Sequence, residues 1–445
     1  MFELTDEYIH QLREAILDDN KQFVESRLEE LLPQDIASVV PELEMAQARY
    51  IFNLLDQKHQ ALVIRELDEN FRVEFLETFS AEEIANYLNL IDSDDAADIL
   101  NEQENPEEII EKITDEAKAK DLKDLLHYDD DVAGGLMQKE LIRANLNWSV
   151  NKCVEEMREQ AKRVGKLYSV YVVDDSDKLL GRVSVKKMLL SEEETMVSDI
   201  YDSEIISVDA FMKANEVAEL MKKYDLVAVP VVNNYGKLLG RITIDDVVDV
   251  ITEKAEIDMQ VMSGITSPVE EEDSIWDLTR SRLPWLLVGL AGGILGAQFL
   301  GLFEGMLSKV TAMAFFIPLI TATGGNVGIQ SSSLIVQSLA RDPNFNDFSF
   351  HRFGKGFLLA FINGLAIALV VGLVNLLLMN DLKLSMVVSV ALFHVVIFSS
   401  FLGTITPLIL HRFGVNPAVA SGPFITTLND LLGLGVYFII AAALY

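Results

Sequence analysis

Asn416 to Tyr445 reads NPAVASGPFITTLNDLLGLGVYFIIAAALY. From Pro417 to Leu444 this stretch is apolar and, at about 1.5 Å per residue, long enough as a helix to cross a hydrocarbon core of roughly 30 Å. Asp430 sits near its middle. A carboxylate there costs roughly 2.5 to 3.5 kcal/mol on insertion scales, so such an acid faces water or an ion, or glues helices together. Thr426, Thr427 and Gly433 lie within one turn of Asp430, and Gly422 and Pro423 two turns before it, which makes one small, polar stripe. No basic residue occurs in any apolar segment, which disfavours an intramembrane ion pair.

The 445 residues divide sharply by charge. Of 69 acids and 36 bases, residues 283–445 hold five and six, so residues 1–282 hold 64 and 30, a net charge of −34 against +1. Such acidity argues for cations as partners and against nucleic acid or anionic lipid. The single Cys153 excludes an internal disulfide, and the opening MFELTDEYIHQ does not read as a signal peptide, so residues 1–282 are expected in the cytosol.

Residues 1–128 read as an acidic, all-α superhelical N-terminal domain. LLPQDIASVVPEL (31–43), FSAEEIANYLNLI (79–91) and DSDDAADILNE (92–102) each set a capping or acidic start before apolar residues at helical spacing. Asp92, Asp94, Asp95 and Asp98 crowd one helix start, which suits either N-capping or a cation site.

An internal repeat follows. KLLGRVSV (178–185) and KLLGRITI (237–244) match at an offset of 59, each after a β-branched run and an upstream helix. Helix, strand, turn, strand, helix, given twice, resembles an α/β tandem CBS pair, with one domain over 129–197 and the second over 198–245. Many such pairs bind adenosyl nucleotides, which makes ATP a candidate ligand. Their nucleotide-reading element is a Ser or Thr followed three residues later by Asp. It stands as Thr243 and Asp246 in the second copy but as Ser184 and Lys187 in the first.

Residues 246–282 form a connecting element, helical over roughly Asp246 to Ile265. Asp246, Asp249, Glu253 and Glu256 fall on one helix face, with Val248, Ile251, Ala255, Met259 and Met262 opposite or beside it. Lys254 is the only base between Arg241 and Arg280, so pairing within the helix cannot relieve the repulsion, whereas a divalent cation can. Oxygen ligands without a Cys or His cluster suit Mg²⁺ or Ca²⁺ and not zinc or copper. Trp276 and Trp285 mark the approach to the membrane.

Five apolar segments then cover Leu283–Phe303, Ala312–Ala340, Phe357–Met379, Leu384–Leu410 and Pro417–Leu444, with Asp430 their only charged side chain. With a cytosolic N-terminal part, the inner flanks carry Arg280, Arg282, Arg341, Arg352, Lys355 and Arg412 against Lys309 and Lys383 outside, which agrees with the positive-inside rule and leaves the C-terminus outside. In the second segment Thr323, Asn326, Gln330 and Ser333 recur at helical spacing beside Gly324, Gly325 and Gly328, a pattern for tight helix packing or for lining a pore. His394 reads as a packed histidine.

DDAADIL (94–100), AGGLM (133–137), the tandem repeat, GGNVGIQ (324–330) and the intramembrane Asp430 together resemble the MgtE family of bacterial magnesium channels. The resemblance covers the whole chain. It implies a multi-pass homodimer in the plasma membrane, a pore site at Asp430 with Asn326 as a further pore residue, and a plug helix. Regulatory Mg²⁺ is implied at carboxylates for which Asp92, Asp95, Glu216, Asp225, Asp246, Asp249, Glu253, Glu256 and Asp258 are the candidates. The expected function is a Mg²⁺-selective uptake channel that cytosolic Mg²⁺ closes; the alternative is an ion-coupled secondary transporter or exchanger. No nucleophile with a base, P-loop or zinc motif suggests an enzyme.

Overall fold

Capping residues ahead of short amphipathic runs fold the described residues of the N-terminal part into ten α-helices, from Asp6–Leu17 to Glu116–Leu125. The computed structural model describes residues 4–270, 273–341, 350–379, 381–420 and 422–444, in two compact units, Met1–Ile251 and Thr252–Tyr445. Of the stretches quoted above, 31–43 becomes helix Pro33–Val39 with the short 3-10 turn Val40–Glu42, 79–91 becomes Ala81–Leu88, and 92–102 becomes Ser93–Asn101. Ser80 and Glu83 form a reciprocal capping box. Phe52 is met edge-on by Phe75, Phe79 and Tyr87 at centroid distances of 5.2, 5.4 and 5.5 Å. That is the attractive geometry for aromatic rings and centres the helical core.

The repeat folds as two matching three-stranded sheets. β1 (Ile142–Asn145) pairs parallel with β2 (Val170–Val173), which pairs antiparallel with β3 (Leu179–Val183). β4 (Val208–Asp209), β5 (Ala228–Val232) and β6 (Leu238–Thr243) repeat that order. The copies meet through equivalent turns, where Leu179 N donates to Gly236 O and Leu238 N to Asp177 O, both at 2.9 Å. Each turn needs a left-handed residue, met by Asp177 (φ 63°) and Gly236 (φ 78°). The helical domain shares one apolar core with the second copy: Val217 and Ile242, with Ala133 and Met137 from the segment ahead of β1, belong to the same cluster as Leu88 and Leu100. That segment bonds the second copy, Ala133 N to Met212 O and Gln138 N to Arg241 O.

The connecting helix runs Ile244–Met262. Among the described residues, five helical stretches after it are long and apolar enough to cross a membrane: Ile275–Gly301, Thr311–Ala340, Gly354–Leu378, Leu382–Arg412, and the 3-10 turn Pro417–Ala420 with helix Pro423–Leu444. The first starts eight residues before the expected Leu283, because Ser274 and Asp277 provide a cap ahead of the apolar run. Arg341 and Arg352, used in the flank count, have side chains outside the described residues. Spans two, four and five share a core built on Ile320, Leu392, Val395, Leu434 and Tyr437. Tyr437 satisfies its hydroxyl on Met313 O at 3.0 Å.

Candidate functional site

Span five is seated by glycines that let backbones approach. A methyl at Gly292 of span one would stand 2.0 Å from Thr427 Cγ2, and one at Gly403 of span four 2.4 Å from the Gly328 carbonyl oxygen. On span two, the Cβ position of Gly325 lies 3.9 Å from Asp430 Oδ1 and 3.5 Å from Thr426 Cγ2. The half-buried Asp430 carboxylate therefore sits over Gly325, next in sequence to Asn326, whose side chain is exposed as is that of Gln330 one turn on. The stretch GGNVGIQ thus divides its roles: its glycines face spans four and five, while its amides face away from the rest of the chain. His394, expected to be packed, is exposed instead; its ring Nδ1 bonds the Val390 carbonyl at 2.8 Å on its own helix.

The end of the connecting helix docks close to the same span. Asp258 Oδ1 accepts from Asn416 Nδ2 at 2.9 Å. A methyl at Gly422 would stand 2.5 Å from Met262 O, and one at Gly264 2.8 Å from Pro423 Cγ. Gly422 is two helical turns from Asp430, so this helix end touches the start of the segment that carries the intramembrane acid.

The acids at the start of helix Ser93–Asn101 form a second centre. Asp92 occupies the N-cap position without making a capping bond, so capping does not account for it. Asp94 is 7 % exposed; its Oδ2 accepts from Gln138 Nε2 at 3.1 Å, and its Oδ1 meets no protein donor. Arg65 Nη1 lies 3.6 Å from Asp95 Oδ2. Burial raises Asp92, and it raises Asp94 well above the usual carboxylate range, with Asp95 and Asp246 adding to the latter. Burial also pushes Asp95 up to about 7, opposed by Arg65 and reinforced by Asp92 and Asp246. Asp246 rises to about 6 for the same first reason. Desolvated acids that feel one another's charge are poised to take up a cation or protons. Glu216, Asp225, Asp249, Glu253 and Glu256 are exposed. Among the described residues no three His, Cys, Asp or Glu side chains converge closely enough to hold a metal ion. The oxygen donors suit Mg²⁺, and any such site needs water or a further chain to complete it.

The Thr243 and Asp246 pair closes on itself: Asp246 Oδ2 accepts from Thr243 N at 2.9 Å and from its Oγ1 at 3.0 Å. Ser184 in the first copy likewise accepts from Lys187 N at 3.2 Å. Neither pair lines the cleft between the repeats, which is walled by Tyr171, Arg182, Ile205, Ile206, Ala228 and Pro230. Arg182 and Arg241 are equivalent by the offset of 59, yet one lines the cleft and the other is buried. The repeat marks both arginines; their opposite environments leave no trace in the sequence.

Family comparisons match this architecture throughout. Residues 31–131 match the model of the MgtE intracellular N domain, 132–192 and 197–253 the CBS domain, and 317–440 the divalent cation transporter model of MgtE. The chain is 30 % identical to the magnesium transporter MgtE of Bacillus subtilis over 92 % of its own length and 94 % of the relative's. To that of Thermus thermophilus it is 30 % identical over 97 % of each. The solved cytosolic domain of the Mg²⁺ channel MgtE in complex with ATP is 29 % identical, with a TM-score of 0.50, over 54 % of this chain and 99 % of that one.

Proposed function

The chain belongs to the MgtE family of magnesium transporters, and on that premise we propose that it is a Mg²⁺-selective channel, driven by the membrane potential and closed by cytosolic Mg²⁺. The observation that carries this reading is Asp430, the one acid in the apolar segments that begin at Leu283, set over Gly325 on the span whose Asn326 and Gln330 are exposed. Exposed amides are costly against lipid. The face they occupy is therefore assigned to water and a second copy, which favours a homodimer with Asp430 and Asn326 lining a shared pore.

Mg²⁺ dehydrates reluctantly. One carboxylate from each subunit attracts the ion through its water shell, neutralising it without binding it too tightly to leave. Each elementary charge gains roughly 2.3 kcal/mol per 100 mV of inside-negative potential, and a divalent ion about twice that, so no coupling ion is required. The C-terminus is outside under this reading, which the Lys/Arg bias of the flanks supports.

Gating follows from linkage: Mg²⁺ favours whichever arrangement brings the acids together, in proportion to its differential affinity. Asp92, Asp95, Asp246 and Asp249 on the helical and CBS side, with Glu216, Asp225, Glu253, Glu256 and Asp258, are the assigned regulatory carboxylates. Domains 1–128, 129–197, 198–245, 246–282 and 283–445 are the corresponding functional parts. The docking of Met262 and Asp258 against Gly422 and Asn416 supports a plug that acts on span five. The related ATP complex supports ATP as a ligand of the CBS pair. It is assigned to the cleft that Tyr171 and Arg182 line, with Glu204 also on its wall, in preference to Thr243 and Asp246, whose side chains bond each other.

Mg²⁺ uptake by proteoliposomes under an imposed potassium diffusion potential, with no proton or sodium gradient, is the test. Uptake that scales with voltage supports the channel. Uptake that appears only with a proton or sodium gradient replaces it with a coupled transporter.

A further inference from the structure

Asn429 is 0 % exposed, and neither end of its amide meets a hydrogen-bonding partner in the protein. It is wedged against span two: a methyl at Gly328 would stand 1.9 Å from Asn429 Nδ2 and 3.3 Å from Ile425 Cγ1. Span four closes the same place from behind, where Gly403 abuts the Gly328 carbonyl and Ser331 bonds Ser400 at 3.0 Å. Gly325, three residues before Gly328 and on the same side of span two, supports Thr426 and Asp430. The two glycines form a shelf, with Asn429 seated on one and Asp430 over the other.

Packing alone does not account for an amide there. A buried, unpaired amide is costly, and leucine has the same branched shape without that cost. The amide adds a group dipole one residue from Asp430, in surroundings where dipoles act with little screening. Successive helical residues point about 100° apart, so whatever locks Asn429 on Gly328 also fixes where Asp430 points.

We propose that Asn429 is a positioning residue for Asp430 and sets the discrimination between hydrated divalent cations. This rests on the reading of Asp430 as the ion site. Gly328 admits the amide only because it lacks a side chain, and the seated amide holds the rotation of span five that presents the carboxylate to the ion. The substrate it acts on is a divalent cation that keeps its water shell.

The test is Mg²⁺ uptake by the full-length protein in liposomes, with external Ca²⁺ as competitor, for wild type, Asn429→Leu, Asn429→Ser and Asp430→Ala, each with its melting temperature. Asn429→Leu is expected to melt no lower than wild type and yet to be inhibited by about five-fold less Ca²⁺, a change of about 1 kcal/mol. Asn429→Ser, smaller but polar, is expected to fall between the two. A melting temperature below wild type for Asn429→Leu makes the amide a packing element and overturns the proposal, as does unchanged Ca²⁺ inhibition where Asp430→Ala alters it. If Asp430→Ala changes neither uptake nor inhibition, the ion site itself is misassigned and the proposal falls with it.

Discussion

Gln138 Oε1 accepts from Nε and Nη2 of Arg241 at 3.0 and 2.8 Å, while the amide nitrogen of Gln138 donates to Asp94 Oδ2 at 3.1 Å. Their backbones are paired as well, Gln138 N to Arg241 O at 2.9 Å and Arg241 N to Gln138 O at 3.0 Å. A buried cation at the end of β6 thus reaches a buried acid of the helical domain through one neutral amide. β6 runs directly into the connecting helix. Charge at Asp94 is therefore mechanically tied to the base of that helix.

Replacing Gln138 with Met keeps its length and removes these side-chain bonds, leaving Arg241 and Asp94 without their shared partner. Hydrogen bonds to charged groups are worth roughly 1.5–3 kcal/mol each; with the two from Arg241 to the single Gln138 Oε1 counted as one, the first unit is expected to lose at least about 3 kcal/mol. Thermal unfolding of the full chain in detergent reads this as a lowered first transition. An unmoved transition refutes the coupling.

Protons should stabilise the acidic unit. Asp95 stands at about 7 and Asp246 at about 6 in the fold, because burial disfavours their charged forms, against about 3.9 for an unfolded aspartate. The folded state therefore holds more protons between those values. The destabilisation is absent below about pH 4, grows as pH rises, and is complete above about pH 7. Without divalent ions, stability is expected to fall across that window, and Asp95→Asn should flatten the fall. Mg²⁺ should stabilise more at pH 8 than at pH 6, since it competes with those protons. Equal Mg²⁺ effects at both pH values contradict this.

The contact between Gly422 and Met262 O leaves no room for a Cβ. Gly422→Ala, or Asn416→Ala through loss of its bond to Asp258, is expected to weaken docking of the connecting helix by about 1 kcal/mol, which raises the half-closing cytosolic Mg²⁺ about five-fold. Current at micromolar Mg²⁺ should stay at the wild-type level. A loss of current with an unchanged closing concentration assigns this contact to permeation instead.

Arg182 lines the cleft between the repeats, while Thr243 is buried. Arg182→Ala is expected to weaken ATP binding about ten-fold by titration calorimetry, or about 1.4 kcal/mol; Thr243→Val should leave it within two-fold or so on that scale. The reverse order restores the Thr243 and Asp246 assignment.

Much of this architecture is legible in the sequence, because periodicity survives in a single chain: the helical runs before 128, the offset of 59, and the five spans. Asp430 stands out as a candidate because a charge within a long apolar run is rare. Gln138, Arg65 and Asn429 are not, because their importance arises from neighbours distant in sequence. Asn429 becomes visible only with Gly328 behind it, and Arg241 differs from Arg182 only by what surrounds it. Thr243 and Asp246 are ambiguous in sequence because a hydroxyl three residues before an acid also suits a helix start, and in the structure the two side chains bond each other.

Patch-clamp current with Mg²⁺ as the sole permeant cation, comparing wild type with Asp430→Ala while cytosolic Mg²⁺ is stepped from micromolar to millimolar, tests the central claim most directly. The account predicts wild-type current that closes as cytosolic Mg²⁺ rises, and current that is lost or unselective in Asp430→Ala. Wild-type and Asp430→Ala currents of equal size and selectivity, or a wild-type current indifferent to cytosolic Mg²⁺, would contradict it.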